Sequence, residues 1–228
     1  MRNLPKKYRD IYKEFYINYS QANTFFRKLL LFVEKWYHLK ASKTRTFANS
    51  ILEVGAGNLN HVKFEKGYEF YDVVEPKDYL IEVSDPAIRK KIRNIYKDIE
   101  EIPENRVYDK IISIAVLEHI ENLDSVLEKI SEKLDENGKF IVEIPAEGEF
   151  LWWLGWRLTT GLGFWLKYRL DYGIIMRFEH VNKAQEIIFY LKKYFKVIHI
   201  DSFPLNIKNW RLYIHIVLSK NSNLNKIV

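Results

Sequence analysis

Residues 51–57 read Ile-Leu-Glu-Val-Gly-Ala-Gly, a run of β-forming residues that breaks into two glycines one residue apart. This junction constrains the fold more than any other stretch of the chain. Glycine lets the backbone turn tightly and lets a ligand approach with no Cβ in the way. Around the junction, β-rich runs at Ser50–Val54, Phe70–Glu75, Ile92–Tyr96, Lys110–Ile114 and Lys139–Ile144 alternate with helical stretches. In Asp124–Leu134, for example, Val126, Leu127, Ile130 and Leu134 share one helical face. Asp135-Glu-Asn-Gly138 reads as a turn ahead of the fifth strand. Such alternation predicts an α/β domain with a doubly wound, largely parallel sheet. Ligands of these sheets sit at the carboxyl ends of the strands, near the topological switch point.

The flanks follow other rhythms. Apolar and aromatic residues recur at helical spacing from Tyr8 to Tyr19 and from Phe25 to Tyr37, which predicts two helices joined near Ser20–Thr24. Residues 1–46 form a helical appendage in this reading, and 47–221 form the main domain. Within that domain, 146–180 interrupts the pattern with Trp152, Trp153, Trp156, Gly161, Gly163 and Trp165, an insertion after the fifth strand. A helix over Lys183–Tyr194 follows, then Val197–Phe203 and Arg211–Ser219 as a closing antiparallel hairpin with a wide loop. Asn221–Val228 reads as a frayed tail.

Charge is unevenly placed. Residues 1–46 carry eleven Lys/Arg against three acidic residues, a net of +8, so the remainder of a chain of net +6 carries −2. A basic segment of this kind suits nucleic acid, an anionic membrane or a phosphorylated substrate, or is simply a solvated helix surface. The chain has no cysteine, which excludes disulfides, thiolate nucleophiles and Cys-ligated zinc or iron–sulfur centres. Neither a signal peptide nor an apolar span of membrane length is present, so the expected location is cytoplasmic. No metal-ligand spacing stands out.

Amide N–H groups of the glycine loop, beside the start of a following helix, suit a carboxylate or phosphate. By itself the loop fits either a nucleotide pocket or a structural turn. A nicotinamide or flavin fingerprint wants Gly-x-Gly-x-x-Gly, but Asn60 stands where the third glycine belongs. Glu53, just before the first glycine, suits a cofactor with a cationic amino group and no pyrophosphate. Glu75 ends the second strand, where a carboxylate accepts both hydroxyls of a ribose. Asp98 falls just past the third, placed to accept from an adenine amino group with Ile99 beside the ring.

Leu52-Glu-Val-Gly-Ala-Gly57, Glu75, Asp98-Ile99, the run from Tyr108 through Leu117-Glu-His119, and Leu134–Pro145 together resemble the class I S-adenosylmethionine-dependent methyltransferases. The likeness is to the small-molecule group that includes ubiquinone, menaquinone and sugar methyltransferases, and it covers roughly residues 48–146. It implies a Rossmann-like seven-stranded sheet ending in an antiparallel hairpin, with S-adenosylmethionine as cofactor and S-adenosylhomocysteine as product. Glu53, Gly55 and Gly57 would then contact the methionine part, Glu75 the ribose, and Asp98 with Ile99 the adenine. Ala115 would lie beneath the sulfonium. Two departures are the missing third glycine and the short space, Asn58–Gly67, left for a first helix.

The implied reaction is displacement at the activated methyl by an acceptor oxygen, nitrogen or carbon. An alcohol acceptor also has to lose a proton, a task suited to histidine; His119, after the fourth strand, and His180, after the insertion, are the candidates. Trp152, Trp156, Arg157, Arg169 and Arg177 of the insertion would bind the acceptor by apolar stacking and phosphate capture. That favours O-methylation of a phosphorylated, nucleotide-linked or lipid-linked sugar, such as a surface-glycan precursor. A competing reading makes Phe150–Trp165 an interfacial membrane segment. RNA methylation through the basic N-terminus is the alternative activity, opposed by the lack of an Asp/Asn-Pro-Pro-aromatic motif after the fourth strand. A non-catalytic binding module of the same fold is the remaining alternative.

Overall fold

A computed structural model describes residues 4–11, 25–44 and 48–221, with no side-chain description for 25–30. The predicted helix joint at Ser20–Thr24 and most of the tail therefore lie outside the described residues. A helical turn over 6–11 is followed by α1 (Phe25–Lys43), β1 (Ser50–Val54), β2 (Phe70–Val74), the short helices α2 (Asp78–Glu82) and α3 (Pro86–Arg89), and β3 (Asn94–Tyr96). Then come β4 (Tyr108–Ile114), α4 (Leu123–Lys133), β5 (Leu134–Pro145), α5 (Phe150–Trp156), α6 (Leu162–Tyr168), α7 (Gly173–Glu179), α8 (Ala184–Tyr194), β6 (Phe195–Pro204) and β7 (Arg211–Lys220). Among the described residues no helix is long and apolar enough to cross a membrane.

The seven strands form one sheet in the order β3-β2-β1-β4-β5-β7-β6. β1 to β5 pair in parallel, and β7 runs antiparallel to both β5 and β6. The order reverses at β1 and β4, so their carboxyl ends open the crevice where a doubly wound sheet takes its ligand.

Two local expectations change. The turn at 135–138 lies inside β5 rather than before it. Leu134 pairs with Tyr108 and the ladder resumes at Lys139 opposite Lys110, so the four residues between them bulge out. The Asn137 N–H closes that bulge on Asp135 Oδ1 at 2.9 Å, and at Gly138 a Cβ would stand 2.8 Å from the Asp135 carbonyl oxygen. The second change concerns the β1–β2 connection, which holds only a 3-10 turn, Val62–Phe64. The glycine loop is therefore not backed by an α-helix N-terminus.

Alternation along the strands divides the sheet into two unlike faces. One is largely apolar: Leu52, Val54, Ile111, Phe140, Val142, Ile144, Ile214 and Ile216 pack against Leu127 and Ile130 of α4 and Ile187 and Leu191 of α8. The other mixes Ile51, Tyr71, Ile112 and Ile141 with the buried polar residues Glu53, Lys110, Glu143 and His215. Part of the segment read as an N-terminal appendage lies here: Ala41 of α1 is fully buried against Ile141 and Val217.

The insertion 146–180 is helical, with a π-helical turn, Arg157–Gly161, joining α5 to α6. It has a small core of its own, in which Phe164 and Ile175 pack with Leu4 and Tyr8 from the N-terminal turn.

Candidate active site

The glycine loop is shaped by contact with the segment after β4. Gly55 has φ +76°, and a Cβ there would fall 2.3 Å from a Val116 methyl carbon, so only glycine lets the two turns meet. Gly57, φ +53°, differs: no atom lies within 4 Å of where its Cβ would point. That open cradle suits a bound group approaching the backbone.

Glu75 frames the cradle. It is 5% exposed, and its carboxylate accepts from the Gly57 N–H at 2.8 Å and the Lys77 N–H at 3.0 Å. Each oxygen keeps a lone pair, so a ribose diol still finds acceptors. Glu53 is buried in the polar sheet face, where the Tyr71 hydroxyl donates to it at 2.7 Å. Burial pushes its carboxyl up to about 7, against the opposing effects of His61 and of the Tyr71 bond. Asp98 is exposed and caps a 3-10 turn by accepting from the Glu100 N–H; Ile99, the next residue, turns into the core at 4% exposure. Ala115 has φ +53° and extends the β4–β5 ladder by donating to the Glu143 carbonyl at 2.8 Å. These residues fit S-adenosylmethionine: an open backbone cradle beside a buried carboxylate that retains acceptor capacity.

Beyond Ala115 the chain turns through Leu117–His119, and here the two candidate histidines come together. Their rings are 4.8 Å apart and edge-to-face. The residue that joins them is Asn182, whose side-chain amide donates to the Leu117 and Ile120 carbonyls at 2.9 and 2.7 Å. The Val181 N–H adds a bond to the Glu118 carbonyl at 2.7 Å. The end of the insertion is thus tied to the turn after β4, which sets His180 against His119.

Each ring is oriented by a bond on Nδ1. His119 Nδ1 lies 2.9 Å from the Glu179 carbonyl and His180 Nδ1 bonds a Glu147 carboxylate oxygen. Both partners only accept, so both Nδ1 atoms carry the hydrogen, and in the neutral form of each ring the lone pair falls on Nε2. Burial by itself would lower the His180 pKa; the Glu147 hydrogen bond and the charges of Glu118, Glu147 and Glu179 outweigh it and raise the value. Glu118 is 2% exposed, and burial raises its pKa against the pull of the two imidazoles.

Next to this cluster a groove of about 450 Å³ is lined by Glu147, Trp152, Trp156, Met176, Arg177 and Lys183, among others. Trp152 stacks on His180 at 6.4 Å, so groove and histidines adjoin. The Arg211 guanidinium holds Glu149, another lining residue, its Nε 2.9 Å from the carboxylate. Of the five residues expected to bind the acceptor, Trp152, Trp156 and Arg177 line this groove. Arg157 and Arg169 do not reach it: both are exposed, and their guanidinium groups lie over the rings of Trp153, Trp156 and Trp165 instead.

Sequence reasoning missed Glu118, Glu147 and Asn182. Glu118 sits inside the recognised Leu-Glu-His tripeptide, but nothing local signals that its side chain turns inward. His61, close after the glycine loop, faces the polar side of the sheet. It is 1% exposed and joins a buried network with Glu65 at 2.9 Å and His38 at 3.0 Å.

A family model described as a methyltransferase domain matches residues 20–180. A comparison with curated proteins finds no match. Solved structures with the same fold include the N-methyltransferase NodS from Bradyrhizobium japonicum WM9 in complex with S-adenosylhomocysteine (TM-score 0.64, 13% identity, 96% of this chain and 100% of that one). Another is magnesium protoporphyrin IX methyltransferase from Synechocystis PCC 6803 with bound S-adenosylhomocysteine (TM-score 0.54, 11% identity, 84% and 83%). An S-adenosylmethionine-dependent methyltransferase from Clostridium acetobutylicum is a third (TM-score 0.60, 14% identity, 92% and 99%). The fold is that of the class I methyltransferases, and the chain belongs to the methyltransferase domain family.

Proposed function

We propose that this methyltransferase methylates a hydroxyl of a small acceptor bound in the insertion groove, the favoured class being a lipid-linked, phosphate-bearing sugar. S-adenosylmethionine supplies a methyl group activated by its sulfonium. The residues offered to hold it are Gly55 and Gly57 of the loop, Glu75 for the ribose hydroxyls, Asp98 with Ile99 around the adenine, and Glu53 and Ala115 at the ends of β1 and β4. The chain's contribution is largely alignment and exclusion of water, and orientation is worth up to ~7–11 kcal/mol.

The observation that carries the hydroxyl reading is the pairing of His119 and His180. An alcohol is a weak nucleophile until its proton is taken or weakened, and a positioned group doing so contributes ~10²–10⁴ in rate. Two imidazoles whose neutral forms carry the lone pair on Nε2, next to a groove and one turn from the glycine loop, supply such a group. Trp152 and Trp156 offer flat faces to a sugar, and Arg177 and Lys183 offer cations to a phosphate. The lipid arm is supported by the insertion's outer surface. Leu158, Leu162, Trp165 and Leu166 are 42–56% exposed there, beside the cations Arg157, Lys167 and Arg169.

An amine acceptor is the second reading, favoured by the Glu118 and Glu147 carboxylates beside the same groove. The test is calorimetric titration with S-adenosylhomocysteine, followed by methyl-transfer assays on matched hydroxyl and amine forms of lipid-linked sugar phosphates. Transfer to the hydroxyl form, reduced at least a hundredfold in His180→Ala, is the expected result. Transfer to the amine form alone would replace this reading with the second, and no S-adenosylhomocysteine binding by the intact protein would overturn both.

A further inference from the structure

Glu118, His119 and His180 each offer one donor atom, and the three atoms lie within 4.8 Å of one another. We propose that this cluster binds a divalent transition-metal cation, a proposal that rests on the reading of the same cluster as the acceptor-activating group.

Three features of the geometry point to it. The first is the state of the imidazoles. Each Nδ1–H is spent on an acceptor, the Glu179 carbonyl for His119 and the Glu147 carboxylate for His180, so in the neutral form of each ring the lone pair a metal would take falls on Nε2. Metal-binding histidines are held this way, by a carbonyl or carboxylate on the far nitrogen that sets the tautomer and aims the ring.

The second feature is independent of the histidines. Glu118 Oε2 is buried with no hydrogen-bond partner, and the residue is 2% exposed. Among the described residues its carboxylate has no lysine or arginine partner; His119 Nε2 lies 3.8 Å from Oε1. A buried carboxylate oxygen without a partner is costly, and a cation at this point satisfies it. Donors that share a metal with bonds of ~2.0–2.2 Å stand roughly 3–3.5 Å apart, so the 3.8 Å pair needs only a small approach. His119, whose side chain is 40% exposed, is the ligand with room to make it.

The third feature is the donor set. Two imidazole nitrogens and one carboxylate oxygen suit zinc, manganese, iron, cobalt or nickel, whereas magnesium and calcium favour all-oxygen sites. Three protein ligands also leave positions open. In one of them the acceptor hydroxyl would bind, and the cation would lower its pKa, with the released proton passing to water. The chain thus unites ligands that sequence spacing conceals, two adjacent residues after β4 and one 61 positions further on.

The experiment uses untagged full-length protein, stripped with a chelator and titrated with Co²⁺, whose visible absorption rises on entering a nitrogen–oxygen site. One Co²⁺ per chain is expected, with affinity falling at least tenfold in both Glu118→Gln and His180→Ala and unchanged in His199→Ala, a histidine outside the cluster. S-adenosylhomocysteine binding should stay within twofold of the parent in all three. Should Glu118→Gln fail to fold, His119→Ala, at the most exposed ligand, takes its place. Absence of saturable Co²⁺ binding, or binding that survives loss of the cluster residues, overturns the proposal. If S-adenosylhomocysteine still binds and methyl transfer proceeds, that failure leaves the methyltransferase reading standing; if the parent binds Co²⁺ but not S-adenosylhomocysteine, the reverse holds.

Discussion

Replacing Gly55 with alanine puts a worked cost on the contact between the glycine loop and the turn after β4. At φ +76° the new residue sits in the left-handed region, which costs an L-residue ~1–2 kcal/mol. Its Cβ would also stand 2.3 and 2.5 Å from the two Val116 methyl carbons, well inside contact distance, and overpacking of this kind costs ~1–3 kcal/mol. The sum is about 2–5 kcal/mol. Urea denaturation should show it as a lower midpoint at unchanged slope, and thermal melts as a loss of ~2–4 °C per kcal/mol. Val116→Ala separates most of the clash from the rest, because it removes both methyl carbons and leaves the backbone strain and the milder contact with the Val116 Cβ at 2.9 Å. The double-mutant cycle should return a favourable coupling of ~1–3 kcal/mol between positions 55 and 116. Gly57→Ala is the contrasting arm: with open space around the Cβ it loses only the backbone part, ~1–2 kcal/mol, yet intrudes on the cradle and should weaken S-adenosylhomocysteine binding. A Gly55→Ala protein within 0.5 kcal/mol of the parent, or zero coupling with Val116, would refute the reasoning.

Four further outcomes are expected. Glu75→Ala should raise the S-adenosylhomocysteine Kd at least tenfold by calorimetry, ~1.4 kcal/mol; an unchanged Kd would remove Glu75 from the pocket. Asn182→Ala frees the Leu117 and Ile120 carbonyls and should lower kcat while S-adenosylhomocysteine affinity holds, the pattern of a positioning residue; parallel loss of both would mark it as merely structural. Lys110→Met strips the ammonium from Glu65, 3% exposed and 2.8 Å away, leaves it only His61, and should cost ~3–5 kcal/mol in urea melts; a neutral result would mean that the network relaxes. Burial holds His38 down to about 3 and His215 to about 4, whereas an unfolded imidazole titrates near 6.5. Below about pH 6.5 the unfolded chain therefore binds protons that the folded chain refuses, and these two groups lose stability as pH falls towards 4. Glu53, raised to about 7, contributes stability that is lost as pH rises from about 4.5 to 7, so the check is the difference in pH slope between parent and His215→Gln.

Local chemistry made the parallel half of the sheet legible. Ile51-Leu52-Glu53-Val54 breaking at Gly55 is a strand-end signal that needs no tertiary partner, and Ser50–Val54 is the strand observed. Leu127 and Ile130 likewise show a helix by periodicity, and α4 buries both. The acceptor side was only half legible, since the sequence offered His119 and His180 as candidates to handle a proton but did not show their meeting. It depends on Asn182 tying one segment to another, through bonds to carbonyl oxygens that any residue at 117 and 120 would offer. Arg157 and Arg169 were misplaced for a related reason. A cation among tryptophans stacks on the nearest ring as readily as it captures a phosphate, and composition does not say which.

The segment before β1 carries a stronger lesson about what counts as an appendage. Along β1, β4, β5 and β7, the residues on one side of the sheet are nearly all apolar, while Glu53, Lys110, Glu143 and His215 sit on the other with 0–3% exposure. Strands with one charged residue in an apolar run read as half-solvated in isolation, which leaves no reason to expect a helix over that side. α1 supplies the reason. The Ala41 carbonyl accepts from the Lys110 ammonium at 3.0 Å, His38 closes on His61, and Thr44, just past the helix, meets His215 at 3.4 Å. Lys110 and His215 are tolerable inside because α1 and the residue after it complete their hydrogen bonding, while Glu53 is held within the sheet by Tyr71. With only a 3-10 turn between β1 and β2, the layer that a crossover helix would fill is taken instead by chain that precedes the first strand. Burial on this face is therefore a joint property of residues 25–44 and the sheet, and neither part of the sequence displays it alone.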